Sequence, residues 1–465
     1  MKIKDRMYVM VKDVARCVYS SLPSTVKHSK KYNSVYRDTK QLLVASESWS
    51  KEQLFDYQDR KIRELVTYAY NNVPYYKNLF KECNLHPSDI KGAVDLIKIP
   101  YLTKDIIKRE NKNLLSVNFQ SKDVVEHLTG GSTGKPTKFY FEKDYDQARE
   151  DAYVDYIYEK FGYSSSERTI VFGDTTFIRE AESMNEKTIC KKYPGVNRWH
   201  FSYARIEKEA KKYFEELRKV NPLWIIACPS HIYRLVMAFN VNGLKNTGIN
   251  VKGIIFKSEM LYPFQKEVID DFFHTRYYQV YGHTEHLCMA STCSVSEEYH
   301  MIETYGVSQF EKFDDSRYEL IATGLDNYAM PIIRYKTQDL FTLDDGECKC
   351  GNNGRLIKTI DGRTSDVLYL KDGRIVTDIF CDFSTLPGEW KNEVEQYQIV
   401  QKIKGECDLL IVLRENVILS QAQLDQIKTS CEEYFFSQML VNVEVVRNIK
   451  RTSRGKEKLI VSLVK

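Results

Sequence analysis

Between residues 144 and 281, helical stretches alternate with short apolar runs. This alternation narrows the possible folds more than any other feature of the chain. Residues 144–161 read as helix, 169–173 as a buried strand, 207–220 as helix and 223–228 as strand. Pro229 and Ser230 open the next helix, with Ser230 as its expected N-cap. Residues 251–256 form another apolar run, 263–273 a helix and 277–281 a short strand. Apolar runs spaced by helices imply βαβ units and a mainly parallel sheet.

The flanking regions read differently. Residues 1–80 are expected to be helical. Leu54, Ile62, Leu65, Val66 and Ala69 form an apolar stripe, while Glu52, Asp56, Arg60 and Glu64 face water. Val73-Pro74 ends that helix, because the residue before proline avoids the α region. Beyond residue 300 the pattern shifts to short strands at 318–322, 332–335 and 340–343, suited to an antiparallel barrel or meander. Past Gly362, two strands flank Lys371-Asp372-Gly373 as a hairpin. Strands at 397–404 and 408–413, a helix at 420–439 and strands at 441–446 and 459–464 complete a small α+β module. The fold class expected is α/β: a large N-terminal domain over 1–362, with parallel sheets and a small barrel-like antiparallel sheet, and a small α+β domain over 363–465.

With 465 residues, the chain has ample material for two or three domains. Its 68 basic and 64 acidic residues leave a net charge of +4, which calls for neither a nucleic-acid nor a membrane partner. No transmembrane segment and no signal peptide are expected. The eleven scattered cysteines suggest a reducing cytoplasm rather than a disulfide framework.

Between strand-like runs at 123–128 and 138–142 lies Leu128-Thr129-Gly130-Gly131-Ser132-Thr133-Gly134-Lys135-Pro136-Thr137. Glycines expose backbone N–H groups, and with Ser132, Thr133 and Lys135 they suit an anionic polyphosphate. A flexible hairpin loop is the other reading, and the stretch alone leaves both open. It is not a Walker A loop: Thr129 stands where that motif needs its first glycine, and Pro136 where it needs Ser or Thr. Tyr281-Gly282-His283-Thr284-Glu285 follows a strand, where α/β sheets bind ligands. There Tyr281 can stack on a base and Glu285 can ligate magnesium, or the segment is a turn with a surface glutamate. Asp339 has the chemistry to accept bonds from two ribose hydroxyls. Arg363 is a ready phosphate or hydroxyl partner at the apparent domain junction.

Together these segments resemble the adenylate-forming superfamily. The resemblance is to its phenylacetate–CoA ligase-like branch and the CapK-type proteins of capsular polysaccharide biosynthesis. It rests on five motifs in order: Gly-Ser-Thr-Gly-Lys-Pro, Tyr-Gly-His-Thr-Glu, Arg-Tyr-Lys-Thr-Gln-Asp, Gly-Arg-Thr-Ser-Asp and Arg-Gly-Lys. Val73-Pro74-Tyr75-Tyr76 and Ile99-Pro100-Tyr101-Leu102-Thr103-Lys104 are also similar to that branch.

The resemblance implies ATP-dependent activation of a small carboxylic acid as an acyl-adenylate, then transfer to coenzyme A or to an amine or sugar hydroxyl. Gly131, Ser132, Thr133, Gly134 and Lys135 would hold the β and γ phosphates. Ser258 and Glu259 would border the adenine, with Tyr281 and Gly282 against it. Thr284 would lie by the α-phosphate, Glu285 on Mg2+, and Asp339 on the ribose with Arg363 beside it. Lys456 would bridge the carboxylate and the α-phosphate, on a C-terminal domain that rotates between half-reactions. Two departures bear on this picture. Gln338 replaces the usual glycine before the ribose aspartate, and Ser365 the usual hinge aspartate. A monomer or homodimer is expected. The alternative is a catalytically silent relative acting as a binding subunit of a capsule or envelope assembly.

Cys293, His300, Cys348 and Cys350 could supply a tetrahedral Zn2+ site. The C-x-C spacing is unusual, and free cysteines near a turn are the competing reading. Cys288, His286, His283 and Cys17 are secondary candidates. An acyl pocket is expected between the glycine-rich loop and Tyr281, drawing on helices near 144–158 and 232–239, whose aromatic residues Tyr153, Tyr156, Tyr233 and Phe239 fit an aryl acid no better than plain core packing.

Overall fold

The computed structural model of the chain describes residues 33–128, 137–173, 189–192, 196–203, 205–206, 208–364, 367–376, 393–414, 416–435, 437–449 and 459–464. The expectations for residues 1–32, Cys17 among them, lie outside the described residues.

The chain enters through α1 (Ser34–Ser46), α2 (Lys51–Asn72), α3 (Pro74–Glu82) and α4 (Lys104–Glu110). Ser50 and Gln53 form a reciprocal capping box at the start of α2. Its buried stripe is the one expected, Leu54, Ile62, Leu65, Val66 and Ala69, with Gln58 added. Gln58 tolerates burial because its amide donates to the backbone carbonyls of Glu303 and Gly306. Pro74 takes the first position of α3, where its missing N–H costs nothing.

Next, β1 (Val124–Leu128) and β2 (Lys138–Glu142) pair antiparallel, closing with Leu128 opposite Lys138. Helix α5 (Tyr145–Lys160) follows. Strands β3 (Thr169–Phe172), β4 (Cys190–Lys192) and β5 (Arg198–Phe201) come next, then α6 (Ala210–Val220), β6 (Trp224–Ala227), α7 (Pro229–Val241), β7 (Gly253–Lys257), α8 (Pro263–Phe273) and β8 (Arg276–Gly282). β5, β3, β6, β7 and β8 lie parallel, as the βαβ pattern requires. The sheet is buried on both faces. Ile225 and Ala227 enter one core with α6 and α7, while Trp224 and Ile226 enter another with α5.

β9 (Met289–Thr292), β10 (Tyr299–Met301), β11 (Gly306–Lys312), β12 (Tyr318–Gly324), β13 (Tyr335–Leu343) and β14 (Leu356–Arg363) are antiparallel. They join the parallel set through β8 and β9, so both kinds of pairing share one sheet of order β11-β12-β13-β14-β10-β9-β8-β7-β6-β3-β5-β4.

The C-terminal residues hold β15 (Leu368–Tyr369), β16 (Ile375–Val376), β17 (Val394–Ile403), β18 (Glu406–Leu413), α9 (Gln421–Tyr434), β19 (Leu440–Val445) and β20 (Ile460–Ser462). The sheet β19-β18-β17-β20 packs on α9 around its own core of Leu409, Ile411, Ile427, Cys431 and Phe435. Ser420 caps α9 in a box with Gln423.

Four expectations are corrected. The strand expected at 332–335 does not form, because Arg334 sits in the left-handed region (φ 56°) and ends the preceding coil. β13 then runs unbroken from Tyr335 to Leu343. Helix α7 starts at Pro229 with Cys228 as its cap residue, so Ser230 lies inside the first turn rather than capping it. The helix expected to reach 439 ends at Tyr434, short of Ser437, which takes a left-handed backbone (φ 56°). Finally, Tyr153 and Phe239 are core residues on opposite sides of the sheet and share no pocket.

Candidate active site

Three strands bring Tyr281, Asp339 and Arg363 together. Tyr281 lies near the end of β8, where a parallel strand opens toward ligand. Its hydroxyl donates to Asp339 Oδ2 at 2.5 Å, and its ring meets Phe341 edge-on at 5.2 Å. Asp339 on β13 is paired in register with Arg363 on β14, whose Nε donates to Oδ1 at 2.8 Å. The carboxylate is thus held from two sides before any ligand arrives. Burial, then the Asp339 charge, pushes the Tyr281 hydroxyl well above its ordinary range, so the phenol stays a donor.

Asp339 reaches this place through a bulge. Thr337, Gln338 and Asp339 of β13 face the single Leu320 of β12. Thr337 Oγ1 donates to the Leu320 carbonyl and accepts from the Asp339 amide, which fixes the bulged segment. Gln338 pays with a left-handed backbone, φ 66°.

The turn after β8 carries His283, Thr284 and Glu285. His283 is held against Cys288 Sγ at 3.2 Å and Glu285 at 3.7 Å. Burial lowers its pKa against the pull of Glu285, so the ring stays neutral. The Glu285 and Arg363 charges both act on Lys104, at the first position of α4. Burial, then Lys108, lowers the Lys104 ammonium. Thr103 caps α4, and Leu102 bridges to Tyr335 in parallel, which docks this segment beside the turn. Lys104 was missed as a functional candidate although the motif containing it was recognised. Only its long-range neighbours show that it faces Glu285.

Ser258 follows β7 with φ 71°. The Glu259 carboxylate accepts from the Ser230 amide at 3.3 Å, so it neutralises the N-terminus of α7. A Cβ on Gly362 would come within 3.3 Å of Met260 Sδ, which places the segment after Ser258 against the root of Arg363. Gly131, Ser132, Thr133, Gly134, Lys135, Ser365 and Lys456 lie outside the described residues.

Elsewhere, the four expected soft ligands converge. Cys293 follows β9, His300 lies on β10, and Cys348 and Cys350 occupy the β13–β14 loop. Their ligand atoms all lie within 4.8 Å of one another. Cys293 and Cys348 approach to 3.6 Å, Cys350 and His300 Nε2 to 3.3 Å. Burial raises the Cys293 thiol, but the Val295 and Ser296 amides outweigh it and favour the thiolate. Burial pushes Cys350 up to about 11. Three sulfurs and an imidazole in one cluster match the donor set of a closed zinc site. The secondary candidates Cys288 and His283 lie by Tyr281, outside this cluster.

Known proteins agree with this architecture. Residues 368–463 match the family described as the CapK C-terminal domain. The chain is 24% identical to protein CapK of Staphylococcus aureus over 89% of its length and 90% of the relative's. It is 25% identical to phenylacetate–coenzyme A ligase of Pseudomonas putida, covering 73% of this chain and 77% of that one. A crystal structure of 2-hydroxyisobutyryl-CoA ligase, in the postadenylation state with 2-HIB-AMP, superposes with TM-score 0.67 at 18% identity, over 90% of this chain and 91% of that one. Across most of its length the chain is thus similar to protein CapK and to phenylacetate–coenzyme A ligases, and its C-terminal residues match the CapK C-terminal domain.

Proposed function

We propose that the chain is an AMP-forming acid ligase that activates a small carboxylic acid with ATP and passes the acyl group to the thiol of coenzyme A. The observation that carries this reading is the Tyr281–Asp339–Arg363 constellation, preassembled from three strands next to Glu285. Asp339 offers two charged acceptor oxygens for ribose hydroxyls, and Tyr281 offers a ring face for adenine. Arg363 stays half exposed beside Asp339, a cation for phosphate or ribose.

A carboxylate is a poor electrophile. Its oxygen attacks the α-phosphorus, the bond to the β-phosphate oxygen breaks, and pyrophosphate leaves. Two anions must approach, so positive groups have to neutralise the developing charge. Lys456, Lys135 and the amides of the glycine-rich loop are assigned that work, with Lys104 as a further cation facing Glu285. Mg2+ on Glu285 would supply charge neutralisation between the phosphates. In the second step a thiolate attacks the acyl carbon and AMP leaves. The domain boundary falls at Gly362–Arg363, and residues 363–465 turn between the two steps.

The CapK likeness supports a variant in which the acceptor is an amine or hydroxyl of a polysaccharide precursor. Zn2+ is assigned to Cys293, His300, Cys348 and Cys350, as a structural ion. Among the described residues no helix is long and apolar enough to cross a membrane.

A carboxylate panel scored by AMP release, with products weighed after adding coenzyme A or amines, tests the reading. Lys456→Ala should lose pyrophosphate exchange by about a hundredfold or more, yet keep partial turnover of supplied acyl-adenylate. Binding of ATP with no carboxylate-dependent AMP release across the panel would instead favour a silent binding subunit.

A further inference from the structure

Behind the turn that carries Glu285, His127, Asp146 and His286 meet. They come from three separate elements: β1, the first turn of α5 and the coil after β8. Their ligand atoms all lie within 4.8 Å of one another. His286 Nδ1 is 3.0 Å from Asp146 Oδ1, and the two imidazoles lie with centroids 5.3 Å apart, packed against Phe141. Ligands about 2.1 Å from a tetrahedral ion sit roughly 3.3 Å from each other, so the pair already has nearly the required separation.

Asp146 and His286 border a cavity of about 10 Å³, also lined by Glu142, Arg149 and Asp326. That is about enough for one small occupant. Arg149 is committed elsewhere: Nε donates to Asp326 at 2.8 Å, and the terminal nitrogens reach the Tyr305 carbonyl and Glu150. Asp326 is shared with Lys61. The Glu142 carboxylate has no hydrogen bond or ion pair among the described residues. The His286 imidazole and the Asp146 and Glu142 carboxylates therefore face one small space whose permanent cation is already neutralised, with His127 within reach of His286 and Asp146.

His286 also holds a left-handed backbone, φ 53°. Such strain costs on the order of 1–3 kcal/mol and persists where the surroundings impose it. The His286 ring packs on Phe141 and meets Asp146.

We propose that His127, Asp146 and His286, with Glu142 beside them, bind a divalent first-row transition ion. The ion would tie the strand at the root of the glycine-rich loop to the turn bearing Thr284 and Glu285. The donor set suits zinc, cobalt, nickel or ferrous iron rather than magnesium, which prefers oxygen and water. The site is separate from the Cys293 cluster and contains no thiolate.

Equilibrium dialysis of the full chain against Co2+, with optical spectra, separates the two sites. The Cys348→Ser/Cys350→Ser chain should still bind one cobalt, without thiolate-to-cobalt absorption. Adding His286→Asn should abolish that ion. Asparagine is chosen because it accepts the left-handed backbone. His127→Gln repeats the test on β1, and thermal unfolding in chelator shows whether each variant folds. The proposal is overturned if the double-serine chain binds no cobalt, or if a folded His286→Asn or His127→Gln version of it keeps the ion.

Discussion

The β13–β14 hairpin carries Asp339 and Arg363 on its paired strands and Cys348 and Cys350 in its connecting loop. On the strands, each polar group has a partner of opposite character. Asp339 accepts from Tyr281 and Arg363, so the constellation stands without ligand. In the loop, the side chains have mainly each other: thiol faces thiol, and thiol faces imidazole. The first region is preorganised for a guest, whereas the second lacks a common partner, and an ion would supply it. Removing ion or ligand contacts should therefore affect different observables in the two regions.

The largest effect is expected at the cluster. Chelation, or Cys348→Ser, should lower stability by about 4 kcal/mol when metal is present at a thousand times its dissociation constant. The KM for ATP should stay within twofold. Thermal unfolding with and without chelator measures this, and a Cys348→Ser chain that unfolds like the chelated wild type agrees with it. Equal stability of metal-loaded and chelated wild type would remove the ion from the account.

Asp339→Ala should do the reverse. Losing two charge-assisted bonds to ribose, at about 1.5–3 kcal/mol each, raises the ATP KM by roughly a hundredfold or more. Stability should fall by about 1–3 kcal/mol, since the half-exposed Arg363 returns to water while the buried Tyr281 hydroxyl loses its acceptor. Pyrophosphate exchange at varied ATP, beside a melting curve, separates the two. A large loss of stability with unchanged ATP response would make Asp339 structural. Tyr281→Phe sharpens the point at smaller scale. It keeps the ring against Phe341 and removes only the bond to Asp339. A weakening of ATP use by about tenfold is expected. A loss as large as that of Asp339→Ala would mean the hydroxyl does more than position the carboxylate.

Local regularities of this fold were legible in the sequence, and long-range pairings were not. The stripe of α2, the span of α8 and the hairpin at Lys371-Asp372-Gly373 follow from periodicity and turn chemistry. Motif order likewise pointed to Tyr281, Asp339 and Arg363. The closing of β14 onto β10 depends on which distant strands pair, and no local pattern encodes that. The aromatic residues of α5 and α7 left two readings open for a similar reason: a tyrosine or phenylalanine facing a core looks the same in sequence as one facing a pocket. Lys104 stays hidden in sequence, and His286 is a metal candidate there without its partners His127 and Asp146, because those partners lie far away along the chain.

Gln338 shows how a departure in sequence becomes a statement about geometry. The resemblance leads one to expect glycine before the aspartate, and the structure supplies the reason: that residue sits at φ 66° inside the bulge just before Asp339. A side chain there costs roughly 1–2 kcal/mol, partly offset by the greater unfolded-state freedom of glycine. Gln338→Gly should therefore stabilise the chain slightly, raising the melting temperature by on the order of 1–2 °C, with ATP use unchanged. Gln338→Val should lower it by more, since β-branched residues tolerate the left-handed region worst. The side chain is exposed, so neither change removes packing. If valine and glycine melt alike, the backbone is not what distinguishes this position, and the bulge places Asp339 by the Thr337 bonds alone.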